Sequence, residues 1–98
     1  MESLVEKIAL IEKEDIKELH FPSSEVLASV EMKKKRDADV AMGMRLGNNH
    51  RGKVKIIFED DKGLKAVETT IWVGTEKSIT LKGGAFIPIH RIHEIRIY

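Results

Sequence analysis

Residues 53–73 read KVKIIFEDDKGLKAVETTIWV, and here the apolar spacing changes from a helical period to alternation. Successive side chains of a strand point to opposite faces, so Val54, Ile56 and Phe58 share one side of a first strand. DDKG at 60–63 supplies a turn, because Asp bonds its own backbone and Gly accepts unusual φ. The second strand places Val67, Thr69, Ile71 and Val73 on one face, with Glu68, Thr70 and Trp72 on the other. Two alternating runs with so short a turn predict an antiparallel hairpin.

Downstream, GTEK at 74–77 precedes a third strand marked by Ile79 and Leu81. Gly83 and Gly84 read as a hairpin turn, and AFIPI and IHEIRIY as two further strands. Pro88 pre-sets its φ and cannot donate to a ladder, which predicts a single 3₁₀ step between those strands. Three residues per turn then point Ile89 and Ile92 inward and leave His90 and Arg91 facing water. His90 and His93, with Glu94 beside them, also raise the question of a metal. Zinc takes about four ligands, whereas His20 and His50 lie in unrelated segments, so the turn accounts for the spacing and neither a metal nor another cofactor is expected.

Upstream, Ser3 and Glu6 form a capping-box pattern, and Leu4, Val5, Ile8 and Ile11 follow at helical spacing, predicting a helix over 3–13. Ile16, Leu19 and Phe21 suit a brief helical turn or an extended piece, which Pro22 ends. Ser23 and Ser24 are then read as caps of a second helix with a thin apolar stripe of Val26, Leu27 and Val30, extended by Val40 and Ala41. Its MKKKRDADV stretch has little to bury and is expected to extend beyond the core. Gly43, Gly47 and Gly52 with Asn48 and Asn49 mark its end.

The expected architecture is α+β: N-terminal helices packed on a five-stranded, mostly antiparallel small β-barrel. One domain covers 1–98, with a helical region at 1–47, a connector at 48–52 and the barrel at 53–98. Its core should hold Val54, Ile56, Phe58, Val67, Ile71, Ile79, Leu81, Ile87, Ile89, Ile92 and Ile95. Alternation puts Trp72 on the face of Ile57, where the helices should cover both.

Composition narrows the function classes. A 98-residue chain that is 42% hydrophobic and 34% charged suits an ordinary globular domain. It has no run of about 20 apolar residues to span a membrane, and its first residues lack a secretory apolar region, so a cytoplasmic location and no membrane partner are expected. Without cysteine, a disulfide framework, a thiolate zinc site and a thiol nucleophile are all excluded. Charge is unevenly distributed: residues 1–32 carry three lysines against eight carboxylates, a net of −5. Residues 33–55 carry eight cations against two carboxylates, a net of +6.

The segment GTEKSITLKGGAFIPIHRIHEIRI, with a Pro-containing turn before its last strand, resembles the Sm-like and Src-homology-like small barrels over about the last 45 residues. KVKIIFEDDKGLKAVETTIWVGTEKSITLKGG is also similar to a group of short bacterial proteins in which an N-terminal helical region precedes the same barrel. That resemblance implies a fold and no activity, since fold alone does not transfer function. The wider class often binds RNA, DNA or protein tails. This chain shows neither the Asn- and Gly-bearing uridine pocket of RNA-binding Sm rings nor an aromatic cage.

No catalytic constellation emerges: Ser23, Ser24, Ser29 and Ser78 occupy caps or strands without a His and carboxylate at telling spacing. Glu59, Asp60 and Asp61 open a turn, and no phosphate-loop spacing occurs. The primary expectation is a non-enzymatic binding or adaptor module that associates with a protein partner or itself, through a barrel edge or the helical arm. The alternative is nucleic acid, RNA before DNA, held by Lys33, Lys34, Lys35, Arg36, Arg51, Lys53 and Lys55, with Trp72 and Tyr98 to stack bases beside Arg91 and Arg96.

Overall fold

The computed structural model describes residues 8–50 and 52–98, apart from the side chains of Asn49 and His50. The chain is α+β: among the described residues one α-helix packs on sheets of four and three strands. The strands are β1 (Ala9–Leu10), β2 (Val54–Glu59), β3 (Leu64–Thr69), β4 (Ile71–Gly74), β5 (Ser78–Leu81), β6 (Phe86–Pro88) and β7 (Ile92–Ile97), and α1 is Val30–His50. Strand order is β1-β3-β2-β7 in the larger sheet and β4-β5-β6 in the smaller. The hairpins β2–β3, β4–β5 and β5–β6 are antiparallel, as alternation requires, and β7 returns antiparallel to β2.

The expected five-stranded barrel is not what forms. The second predicted strand breaks at Thr70, whose carbonyl accepts the Lys82 N–H at 2.9 Å, and the chain passes there from one sheet to the other. The two sheets do not close into a barrel. Elements from the N-terminal half lie across both: α1 packs on β4 and β7, and a 3₁₀ turn over Lys13–Glu18 packs on β3 and β6. All the core residues expected from alternation are buried, and they form one cluster with Ile16 and Val40.

The helical region differs most from expectation. The Ser3–Glu6 capping pattern lies outside the described residues. Within the predicted first helix, Ala9 and Leu10 are instead a strand, parallel to Lys65 and Ala66 of β3, and the Ile11 N–H donates to the Ala66 carbonyl at 2.9 Å. The backbone groups of the β3 edge outcompete a short helix, which is marginal without packing. α1 is capped not by Ser23 or Ser24 but by Ser29, whose Oγ accepts the Met32 N–H at 3.2 Å. Nor is it a free arm: it continues through Gly43 and Gly47, which seat it on β4. A Cβ on Gly43 would lie 2.8 Å from Ile71 Cδ1, and one on Gly47 would land on the Ile71 carbonyl oxygen. These glycines mark a close approach rather than a helix end.

The second 3₁₀ turn, Ile89–Arg91, follows Pro88 as expected, with Ile89 and Ile92 buried. Arg91 departs from expectation, being only 5% exposed. The segment before α1 covers that side of the turn, with the Val26 N–H donating to the His90 carbonyl at 3.0 Å. The 60–63 turn is built as its residues suggested: Asp60 Oδ1 accepts the N–H groups of Lys62 and Gly63 at 3.0 and 3.1 Å and the Lys65 Nζ at 2.9 Å.

Candidate binding face

The basic segment does not form one patch. α1 carries Lys33 to Arg36 near its start, whereas Lys53 precedes and Lys55 lies within β2, beyond its far end. Lys34 and Lys35 are exposed, and Lys35 Nζ pairs with Asp39 Oδ2 at 2.8 Å. Arg36, read from sequence as a surface cation, is buried. Its Nη1 and Nη2 donate to the two Glu25 oxygens at 2.7 and 2.8 Å, and Nη1 also donates to the Ile92 carbonyl at 2.9 Å. That guanidinium holds the Glu25 carboxyl at about 2, against an ordinary 4.5.

Arg91 is likewise taken up by the fold. Its Nε donates to the Glu59 carbonyl at 3.0 Å, and its Nη1 to the Ser24 carbonyl at 2.8 Å and to Ser24 Oγ at 3.1 Å. The neighbouring histidines go to separate partners: His90 Nε2 to the Pro22 carbonyl at 3.0 Å, and His93 Nε2 to Glu59 Oε1 at 2.8 Å. Among the described residues no group of three or more His, Asp or Glu is placed to hold a metal ion. No described helix is long and apolar enough to cross a membrane. Arg51 lies outside the described residues.

Other residues of the sequence-derived set do meet. Lys53 and Trp72 line one cleft of about 610 Å³, joined there by Lys13, Lys82 and Glu68. Trp72 is 48% exposed rather than covered by helices. The register of β4 on β5 shifts between Ile71 and Val73, so the bulge turns both Trp72 and Val73 to solvent instead of to opposite faces. Glu68 accepts a hydrogen bond from the Tyr98 hydroxyl at 2.6 Å, which raises the Tyr98 pKa and brings the second aromatic beside the cleft. Lys55 stands between Glu68 and Arg96 on the adjoining strands, and Arg96 Nε pairs with Glu94 at 2.9 Å.

The face therefore combines two exposed aromatics with Lys13, Lys53, Lys55 and Lys82. Glu12 and Glu68 also line the cleft, and among the described residues neither Lys53 nor Lys82 pairs with a carboxylate. Sequence reasoning missed Lys13 and Lys82, because one sits in the acidic third of the chain and the other beside a hairpin turn. Only the packing of the first 3₁₀ turn near the β5–β6 hairpin brings them together. Comparisons with protein-family models, curated proteins and solved structures found no match to this chain.

Proposed function

We propose that the chain is a non-enzymatic binding module that contacts single-stranded nucleic acid, RNA before DNA, through the Trp72 face. The observation that carries this reading is the meeting of Trp72 with Lys13, Lys53 and Lys82 around one open cleft. Aromatic rings accept the π-face of any base, and lysines neutralise the phosphates between bases, so the combination suits a strand with its bases unstacked. The 3₁₀ turn between the last two strands supports, beside this, a kinship with the Sm-like small barrels.

The test is binding of single-stranded RNA, single-stranded DNA and duplex DNA across a salt series. Trp72→Ala should weaken single-strand binding by about 1–3 kcal/mol for each base stacked on it. Lys53→Ala with Lys82→Ala should make the salt slope shallower by about 1.4, whereas changing Lys33, Lys34 and Lys35 together should alter it little. If the helix lysines carry the salt dependence and Trp72→Ala has no effect, the assignment to this face fails.

A second reading, self-association or a protein partner at a strand edge, is favoured by the strand order. Among the described residues β6 and β7 each have no strand on their outer side, and Phe86, Ile97 and Tyr98 are exposed there. Such edges are templates for another strand. Light scattering over a concentration series should then show mass above the monomer, abolished by Phe86→Lys or Ile97→Lys. A wild-type chain that stays monomeric throughout rules out the homotypic form.

A further inference from the structure

A second cleft lies on the other side of Lys13 and Lys82, between the first 3₁₀ turn and the β5–β6 hairpin, with a volume of about 660 Å³. Its floor is apolar. Ile16, Leu19 and Phe21 come from the 3₁₀ turn and the residues after it, while Ala85 and Phe86 come from the hairpin. Ile16 is fully buried and Phe86 is 61% exposed, so the floor runs from the core out to the surface. At three residues per turn, Lys13, Ile16 and Leu19 stack along one side of the 3₁₀ turn, which sets an ammonium group at the end of an apolar stripe.

The rim is cationic. Lys13, Lys17 and Lys82 line it against the single carboxylate of Glu14, which pairs with Lys13 at 3.1 Å. Among the described residues Lys17 and Lys82 have no carboxylate partner. The third wall is bare backbone. Gly83 and Gly84 hold φ of 96° and 101°, a region that disfavours other residues, and open space surrounds the position a Gly84 side chain would take. Apolar enclosure with a few placed polar groups is the usual make-up of a small-molecule site, and this volume falls in the usual range of roughly 300–1,000 Å³.

We infer that this cleft binds an amphipathic carboxylate, its apolar chain lying on Leu19, Phe21 and Phe86 and its head group between Lys17 and Lys82. Charge sets the preference: an anionic head group is attracted to the lysines of the rim, a neutral one gains nothing from them, and a cationic one is repelled. The two clefts share Lys13 and Lys82, but the inference can be tested apart from the nucleic-acid reading, because Lys17 and Phe86 line only this cleft and Trp72 lines only the other.

Decanoate, kept below its micelle concentration, is titrated into the full chain alongside decanol and decyltrimethylammonium, with backbone amide NMR as the readout. Saturable shifts at Gly83, Gly84 and Phe86 are expected with decanoate, and none with decyltrimethylammonium. Lys17→Glu combined with Lys82→Glu should weaken decanoate at least tenfold while the amide spectrum stays folded; Phe86→Glu should do the same. Trp72→Ala should leave decanoate binding unchanged. Equal binding of the cationic chain, shifts centred elsewhere, or undiminished affinity in the charge-reversed variant would overturn the inference.

Discussion

Arg36 illustrates how far residue type misleads about residue role. Set in a run of lysines it reads as a solvated cation, yet it is buried with both Glu25 oxygens and the Ile92 carbonyl as acceptors. Its position on α1, seven residues after the Ser29 cap, turns it toward β7, and no residue pattern announces that. Arg36→Ala removes the guanidinium donated to the Ile92 carbonyl and to both Glu25 oxygens, leaving Glu25 only the Leu27 N–H, and should cost about 2–4 kcal/mol in urea denaturation. Arg36→Lys, which keeps charge but not the two-pronged geometry, should cost less. Because the Glu25 carboxyl is held at about 2 rather than 4.5, its share of stability is present above pH 4.5 and lost as pH falls from 4.5 toward 2. Glu25→Gln should therefore be less stable than the wild type at neutral pH and converge with it in acid. An unchanged gap at pH 2 would contradict that role.

Among the elements, α1 and β4 meet through missing side chains. Alanine normally favours a helix over glycine by about 1 kcal/mol, so both Gly43→Ala and Gly47→Ala would stabilise an unpacked helix. Here Gly47→Ala should instead destabilise by more than about 2 kcal/mol, because its Cβ would meet rigid backbone at the Ile71 carbonyl. Gly43→Ala should be milder, since the tip of the Ile71 side chain can move. Thermal unfolding of the two variants checks the order. The same glycines were legible only as helix breakers, because the sequence shows what lacks a side chain but not what lies opposite it. The β4 bulge is a comparable case: alternation put Trp72 under the helices, and one extra residue against β5 exposed it.

At the scale of the molecule, the described residues form two sheets whose shared interior is completed from outside. α1 covers one side and the first 3₁₀ turn the other, with Ile16 only 1% exposed although it belongs to neither sheet. Ile16→Ala should therefore cost about 2–5 kcal/mol, like any deep core truncation, while Val30→Ala, 65% exposed, should change stability by less than about 0.5 kcal/mol. Equal effects would mean that the 3₁₀ turn is peripheral. Residue order alone was enough for the alternating runs after Lys53, the hairpin turns, the Pro88 step and the core from Val54 to Ile95, because a period of two and turn chemistry are local properties of neighbouring residues. Tertiary structure alone decided that residues 9–10 extend along β3, that the second strand divides at Thr70, and that Arg36 and Arg91 are buried. It also brought Lys13, Lys53, Lys82 and Trp72 to one cleft. Each of these depends on which distant backbone or charge a residue meets, and such meetings are set by packing across the chain rather than by spacing along it.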